Sequence, residues 1–304
     1  MLKPFTFFLI VLFYFPLNSD AQITAVPQED TAWTLGSVFS LNFNQTGLSN
    51  WQGGGQSTMA FGSLLQADAD YIKGSWSWIN DLEAGYSILK QGRDGQWIKS
   101  DDRLQISSKA GRAFIKNFNV SFLLDFQTQM DVGYEFYTDS LGEDQRRVIS
   151  RFMAPGYLLT ALGAEYQPNK RFYLFLSPLT MKTTFVLDDT LAAREIYGNE
   201  NGEMIRTEFG ANFSSRLKLE LMKNVTLQTS LNLFSNYQTP TLIDVDWQTM
   251  TVFKVNDFIS ANFSTHLIYD HDIEIETEDG TTGPATQFKE VLNIGITYEI
   301  KNRE

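Results

Sequence analysis

From Trp33 onward, apolar residues recur at every second position, which places them on one face of an extended strand. Trp33, Leu35, Phe39, Leu41 and Phe43 share the first such face, and Met59, Phe61, Leu65, Ala67 and Tyr71 the second. Trp76, Trp78, Leu82, Ala84, Tyr86 and Ile88 form the third, opposite Ser77, Asp81, Glu83, Gly85 and Ser87. The cleanest run is Val120, Phe122, Leu124, Phe126, Met130, Val132 and Tyr134, with Ser121, Asp125, Gln127, Gln129 and Asp131 between them. The alternation returns over 207–221, 225–237, 243–255, 259–269 and 288–300, and more weakly over 102–115, 152–166 and 172–187. The pattern predicts twelve strands.

Their connections alternate between short and long. Short ones fall at Lys73-Gly74, 116–118, 168–170, 222–224 and Asn256-Asp257; longer ones fall near 45–56, 90–101, 135–150, 188–205, 238–242 and 270–287. An even strand number, tight turns at one end and longer loops at the other predict an all-β fold: a closed antiparallel up-and-down transmembrane β-barrel of about twelve strands. A soluble sandwich shares the alternation but points its apolar face inward. Three features favour the membrane form. The strands are longer than the ~5–6 residues usual in soluble sheets. Aromatics such as Trp33, Tyr71, Trp76, Tyr86, Tyr134, Tyr237, Tyr269 and Tyr298 sit at strand ends, where interfacial girdles belong. The polar face is rich in Ser, Gln, Asn and Gly rather than in the Lys and Glu of soluble exteriors.

The first residues, MLKPFTFFLIVLFYFPLNSDAQ, carry Lys3, an apolar core from Phe5 to Phe15, and small residues Ser19 and Ala21 before a cut. This predicts a secretory signal peptide over 1–21, a short periplasmic segment over 22–31, the barrel over 32–300 and a tail over 301–304. The expected location is the outer membrane of a Gram-negative bacterium, among its lipid and lipopolysaccharide. The chain has no cysteine, which excludes disulfide scaffolds, thiol nucleophiles and Cys-ligated metals. A net charge of -12 argues against nucleic acid as a partner.

Three stretches carry a family resemblance: LSNWQGGG (48–55), FLSPLTMKTTFVLDDTLA (175–192) and IDVDWQTMTVFKVNDFISANFSTHLIYDHDI (243–273). They resemble a Bacteroidetes family of outer-membrane barrels catalogued as domain-of-unknown-function family 3078. The resemblance implies lineage and location, and brings no catalytic or binding residues with it. Unlike many barrels, which end on an aromatic residue, the chain ends Lys301-Asn302-Arg303-Glu304, leaving Tyr298 as the nearest aromatic.

Candidate chemistry lies on the polar face. Asp81, Glu83, Asp125 and Asp131, with Arg103 and Lys109 on the strand between, form a predicted lumen cluster that either narrows a channel or plugs it with salt bridges. Glu208, Arg216, Lys218 and His266 form a second. Ser264 and His266 lie on one strand face and point in parallel, whereas acyl transfer needs convergent groups, so no enzyme activity is expected. In the loop candidate Trp51, Gly53, Gly54 and Gly55, the glycines let the backbone turn sharply beside an aromatic at the barrel mouth. The acidic run 270–279 offers oxygen ligands but lacks the central glycine of a calcium loop. Arg146, Arg147 and Arg151 end the third long loop, within reach of anionic head groups. No metal and no cofactor are expected. The functional expectation is a narrow channel for small hydrophilic solutes; the alternative is a non-catalytic accessory barrel of an envelope complex with a plugged lumen.

Overall fold

The computed structural model describes residues 33–46, 57–92, 95–139, 141–169, 171–200, 202–256, 259–276 and 282–301. The expected signal peptide and the 22–31 segment, Trp51, Gly53, Gly54 and Gly55, residues 277–279 of the acidic run and residues 302–304 lie outside the described residues.

In chain order the elements are β1 (Trp33–Thr46), β2 (Thr58–Lys73), β3 (Trp76–Gln91), β4 (Trp97–Ile115), β5 (Phe118–Thr128), β6 (Gly133–Thr138), β7 (Asp144–Ser150), β8 (Gly156–Asn169), β9 (Phe172–Phe185), α1 (Asp189–Ala192), β10 (Ile205–Met222), β11 (Val225–Asn236), β12 (Ile243–Lys254), β13 (Ile259–Tyr269), β14 (Glu274–Glu276), β15 (Thr282–Pro284) and β16 (Gln287–Lys301). Twelve of the strands form one antiparallel up-and-down sheet; β6–β7 and β14–β15 are separate hairpins. Along the sheet each strand pairs with the next, and β1 also pairs with β16 from Gly36↔Lys301 to Leu41↔Ile296. Tight turns at one end use backbone that favours the expected residues: Gly74 between β2 and β3 has φ 58°, and Asn117 between β4 and β5 has φ 67°.

The two faces of the sheet have exchanged the roles they hold in a soluble protein. On β5, Val120 and Phe122 are 48% and 42% exposed, while Ser121 between them is fully buried. Leu41, Leu65, Ile106, Leu176, Phe209, Trp247 and Phe263 likewise stand exposed on the outer face. Buried groups are instead dominated by Ser, Thr, Asn, Gln, Glu and Lys. An apolar surface of this extent in water would be costly, whereas against acyl chains it is the favourable side. Strands of 11 residues in β5 to 19 in β4 reach or exceed the ~9–11 needed to cross hydrocarbon at a tilt. No helix among the described residues is long and apolar enough to cross a membrane, which has no bearing on strands.

Aromatic groups collect at both ends of the outer face. Trp33 packs on Tyr71 (5.3 Å) and Trp78 (5.7 Å) near the tight turns, where Phe118 also meets Tyr166 (4.5 Å). At the other end Phe43, Phe61 and Trp97 form a chain with centroids 4.9 and 5.6 Å apart. Amphipathic rings favour such depths, where one edge is greasy and the other wet.

A bulge on β9 explains the weak alternation there. Registers shift across Leu176–Leu179 against β8 and across Ser177–Thr180 against β10, with β9 spending one residue more than either neighbour. Pro178 fits this point because it has no ladder N–H to lose. The extra residue flips parity, so the buried face passes from Phe175 and Ser177 to Thr180 and Thr184. Gly163 lies against the bulge: a Cβ there would stand 2.3 Å from Leu176 O and 2.7 Å from Ser177 Cα. Gly163→Ala is therefore expected to destabilise the folded sheet by about 1–3 kcal/mol, measured by urea titration in detergent or vesicles.

Strand five ends earlier than its alternation predicts. After Thr128 the Asp102 carboxylate accepts hydrogen bonds from the N–H groups of Met130 and Asp131 (both 2.8 Å), which diverts those donors from any ladder. Asp131 is consequently placed outside the strand, accepting from Tyr86 Oη at 2.8 Å, and Tyr134 lies in the β6–β7 hairpin rather than on the sheet. That hairpin and the segment around α1 build a small cap with its own core of Ala154, Val186, Leu191 and Ala192. Arg194 donates to Val148 O (2.7 Å), Tyr197 to Ile149 O, and Arg151 pairs with Asp188 at 3.1 Å. Burial pushes the Tyr197 phenol up to about 12. In the hairpin, Arg146 stacks over Tyr134 (4.6 Å) and Arg147 pairs with Glu135.

Candidate functional site

Residues of ten of the twelve strands, β3 to β5, β8 to β13 and β16, line a cavity of about 640 Å³. It reaches from Gln167, Arg171 and Phe172, beside the tight β8–β9 turn, to Asp101, Gln129 and Pro155 at the end of the long connections. Period-two alternation places its lining. Asp81 and Glu83 come from β3, Arg103 and Lys109 from β4, Asp125 from β5, Arg216 and Lys218 from β10, and His266 from β13. The two clusters read from sequence thus share one space, apart from Asp131 and Glu208. Asp131 is excluded because β5 stops before it.

Several charges are satisfied within the wall. Arg103 pairs with Glu83 at 2.8 Å, and Gln105 Nε2 donates to both oxygens of Asp125 (3.2 and 3.0 Å). Lys109 pairs at 3.0 Å with Glu165, a fully buried β8 carboxylate that also accepts from Asn119 (3.3 Å) and Ser121 (3.0 Å). The Lys109 ammonium sits 4.5 Å above the Tyr173 ring, and the Arg216 guanidinium lies 5.9 Å from that ring. His266 Nε2 lies 3.2 Å from Asp246 and 3.5 Å from Gln248 Nε2, a local polar pairing on β12 and β13. Ser264 lines the same cavity as His266, and the side chain of Asn262 lies outside the described residues.

Glu208 belongs to a different group, near the long-connection end. Lys182 on β9 gathers Asp244 (2.7 Å), Asp270 (3.1 Å) and Glu208 (3.9 Å), while Arg206 holds Glu208 (3.0 Å) and Asp272. The first acids of the 270–279 run therefore face fixed cations. Among the described residues, no three His, Cys, Asp or Glu side chains are grouped to hold a metal ion. The Lys182 network ties the connection after β13 to β9 and β10. Lys182→Met should release it, so that limited proteolysis cuts the 270–286 connection several-fold faster than in the wild type; equal rates would contradict this tie.

Lys182 and Glu165 escaped the sequence reading for the same reason. Both partnerships depend on which residues the register places opposite each other, and the β9 bulge hides the parity of Lys182.

With this geometry in place, comparison with known proteins adds a partial match. Residues 43–134 match the family described as "Protein of unknown function (DUF3078)". The matched segment runs from the end of β1 into β6 and contains the LSNWQGGG stretch; its description assigns no activity. No curated protein matches the chain. Among solved structures, an outer membrane channel from Pseudomonas putida F1 aligns over 90% of this chain and 100% of its own, with 10% identity and a TM-score of 0.41. The translocator domain of autotransporter NalP from Neisseria meningitidis aligns over 90% of both chains, with 11% identity and a TM-score of 0.36. The CymD monoaromatic hydrocarbon channel aligns over 90% of this chain and 89% of its own, with 8% identity and a TM-score of 0.34.

Proposed function

We propose that the chain is a closed outer-membrane β-barrel, without enzymatic activity, that acts as a narrow channel for small hydrophilic solutes. In hydrocarbon an unpaired backbone amide costs several kcal/mol, so a sheet with a lipid-facing surface must join its own edges. The β1–β16 pairing, six residues long, supports this reading. The secretory leader read from residues 1–21 delivers the chain to the outer membrane, with lipid and lipopolysaccharide as its surroundings.

The observation that carries the channel reading is the polar cavity, continuous from the tight turns to the long connections. Twelve strands lie between eight-stranded barrels filled by side chains and sixteen-stranded porins, so the pore is narrow. Purified, folded protein in planar bilayers should give discrete conductance steps in potassium chloride. Membranes that stay at baseline with folded protein inserted would overturn the channel reading. One observation favours a second role, an accessory barrel: the pairs Arg103–Glu83 and Lys109–Glu165 both lie in the cavity wall. A conductance of zero together with co-purification of a fixed envelope partner would select that role.

A further inference from the structure

At the tight-turn end of the sheet, one row of outward side chains sets two cations around a tryptophan. The register places Lys73 of β2 opposite Trp76 of β3, and Trp76 opposite Arg112 of β4, so the three side chains share a face; Val120 of β5 continues the row. All four are exposed. The Arg112 guanidinium lies 5.3 Å from the centre of the Trp76 ring, within cation–π reach. Lys116, in the turn between β4 and β5, is exposed beside them. Among the described residues, no ion pair engages Lys73, Arg112 or Lys116. The acids of the same strands stand elsewhere: Asp68, Asp70, Asp81, Glu83 and Asp125 take the alternate, inward positions, and Asp101 and Asp102 lie at the far end of β4. This patch of the outer face is therefore cationic with no carboxylate from β2 to β5 to balance it.

Resting on the outer-membrane barrel reading but not on conduction, we infer that Lys73, Trp76 and Arg112 form a binding site for an anionic phospholipid head group in the leaflet at the tight-turn end. A cation on the lipid-facing wall of a barrel is costly at the midplane and tolerated near the interface. The depth of this row fits the interface. The next row inward along the strands, Tyr71, Trp78, Ala110 and Phe122, carries the aromatic cluster in which Trp33 packs on Tyr71 and Trp78. At that depth the anions within reach are lipid phosphates. A guanidinium offers a phosphate two parallel N–H donors, and the Lys73 ammonium adds a second charge on the other side of the indole. A zwitterionic lipid brings its own ammonium to compensate its phosphate. An anionic lipid has a net charge for both side chains to neutralise, so it is the favoured occupant.

The test titrates the full folded protein in detergent with phosphatidylglycerol or phosphatidylethanolamine of identical acyl chains, and counts retained lipids by native mass spectrometry. The wild type should retain phosphatidylglycerol about fivefold more strongly or better. Arg112→Gln with Lys73→Gln should bring the two lipids to parity, whereas Arg146→Gln, in the hairpin at the opposite end, should leave the preference intact. Inorganic phosphate at the lipid concentration should not displace the lipid. Equal retention of the two lipids by the wild type overturns the inference, and so does a preference that survives the double variant. Displacement by inorganic phosphate would show a site for the free ion and overturn it as well. Lipid A held more strongly than phosphatidylglycerol, and lost in the same variant, would assign the cluster to the other leaflet and contradict it. Protein that folds only away from detergent and vesicles overturns the barrel reading itself, which separates the two failures. The wild-type comparison decides even if a variant fails to fold.

Discussion

Phe122→Arg is expected to destabilise the membrane-inserted protein by about 2–4 kcal/mol, the cost of a cation near the bilayer midplane on a barrel's lipid face. Phe122 sits in the middle of β5, exposed, between fully buried Ser121 and cavity-lining Leu123. Its partners across the sheet, Ala110 and Leu162, share the outer face. Gln127→Lys, on the same strand but lining the cavity, places the same charge among polar groups and should cost less than about 1 kcal/mol. Urea titration in vesicles measures both. If the outer face met water, the order would reverse, because an arginine there would be harmless.

Lys109→Met is the second large effect. Glu165 is fully buried, and Lys109 is its only ion-pair partner among the described residues. Removing the ammonium strands that carboxylate, at a cost of about 3–5 kcal/mol. The double change Lys109→Met with Glu165→Gln removes both charges and should recover much of the loss, since Asn119 and Ser121 remain to hydrogen-bond the amide. A contrasting pair is Arg171–Glu220, with both side chains more than 60% exposed. Arg171→Ala should cost no more than about 1 kcal/mol. Equal costs for the two single changes would show that Glu165 is not held by Lys109.

The elements that could be read in advance are those in which one physical rule acts alone. β3 and β5 alternate strictly, because one face meets apolar surroundings and the other a polar cavity, and their cavity residues Asp81, Glu83 and Asp125 followed directly. Where a second rule intervenes, the alternation misleads. Met130, Val132 and Tyr134 continue the period of β5, but the Asp102 carboxylate captures two backbone donors there and Gly133 begins another hairpin. On β9 the bulge at Pro178 shifts the phase, so Lys182 reads as out of step although it is the hub of an ion-pair network. The cap core residues Leu191 and Ala192 lie in what reads as a long loop, because two adjacent apolar residues carry no period. Glu165 is a further case: a carboxylate is recognisable as buried only once Lys109 is known to stand beside it.

The direction of the apolar face can be measured directly, because the chain has no cysteine. Single cysteines placed at Leu65, Phe122 and Trp247 on one face, and at Ser107, Asp125 and Gln248 on the other, are labelled in vesicles with a membrane-impermeant maleimide and with a lipid-soluble one. The first three should react only with the lipid-soluble reagent and the second three with the impermeant one. Impermeant reagent reaching positions 65, 122 and 247, with positions 107, 125 and 248 open to the lipid-soluble reagent alone, would contradict this orientation.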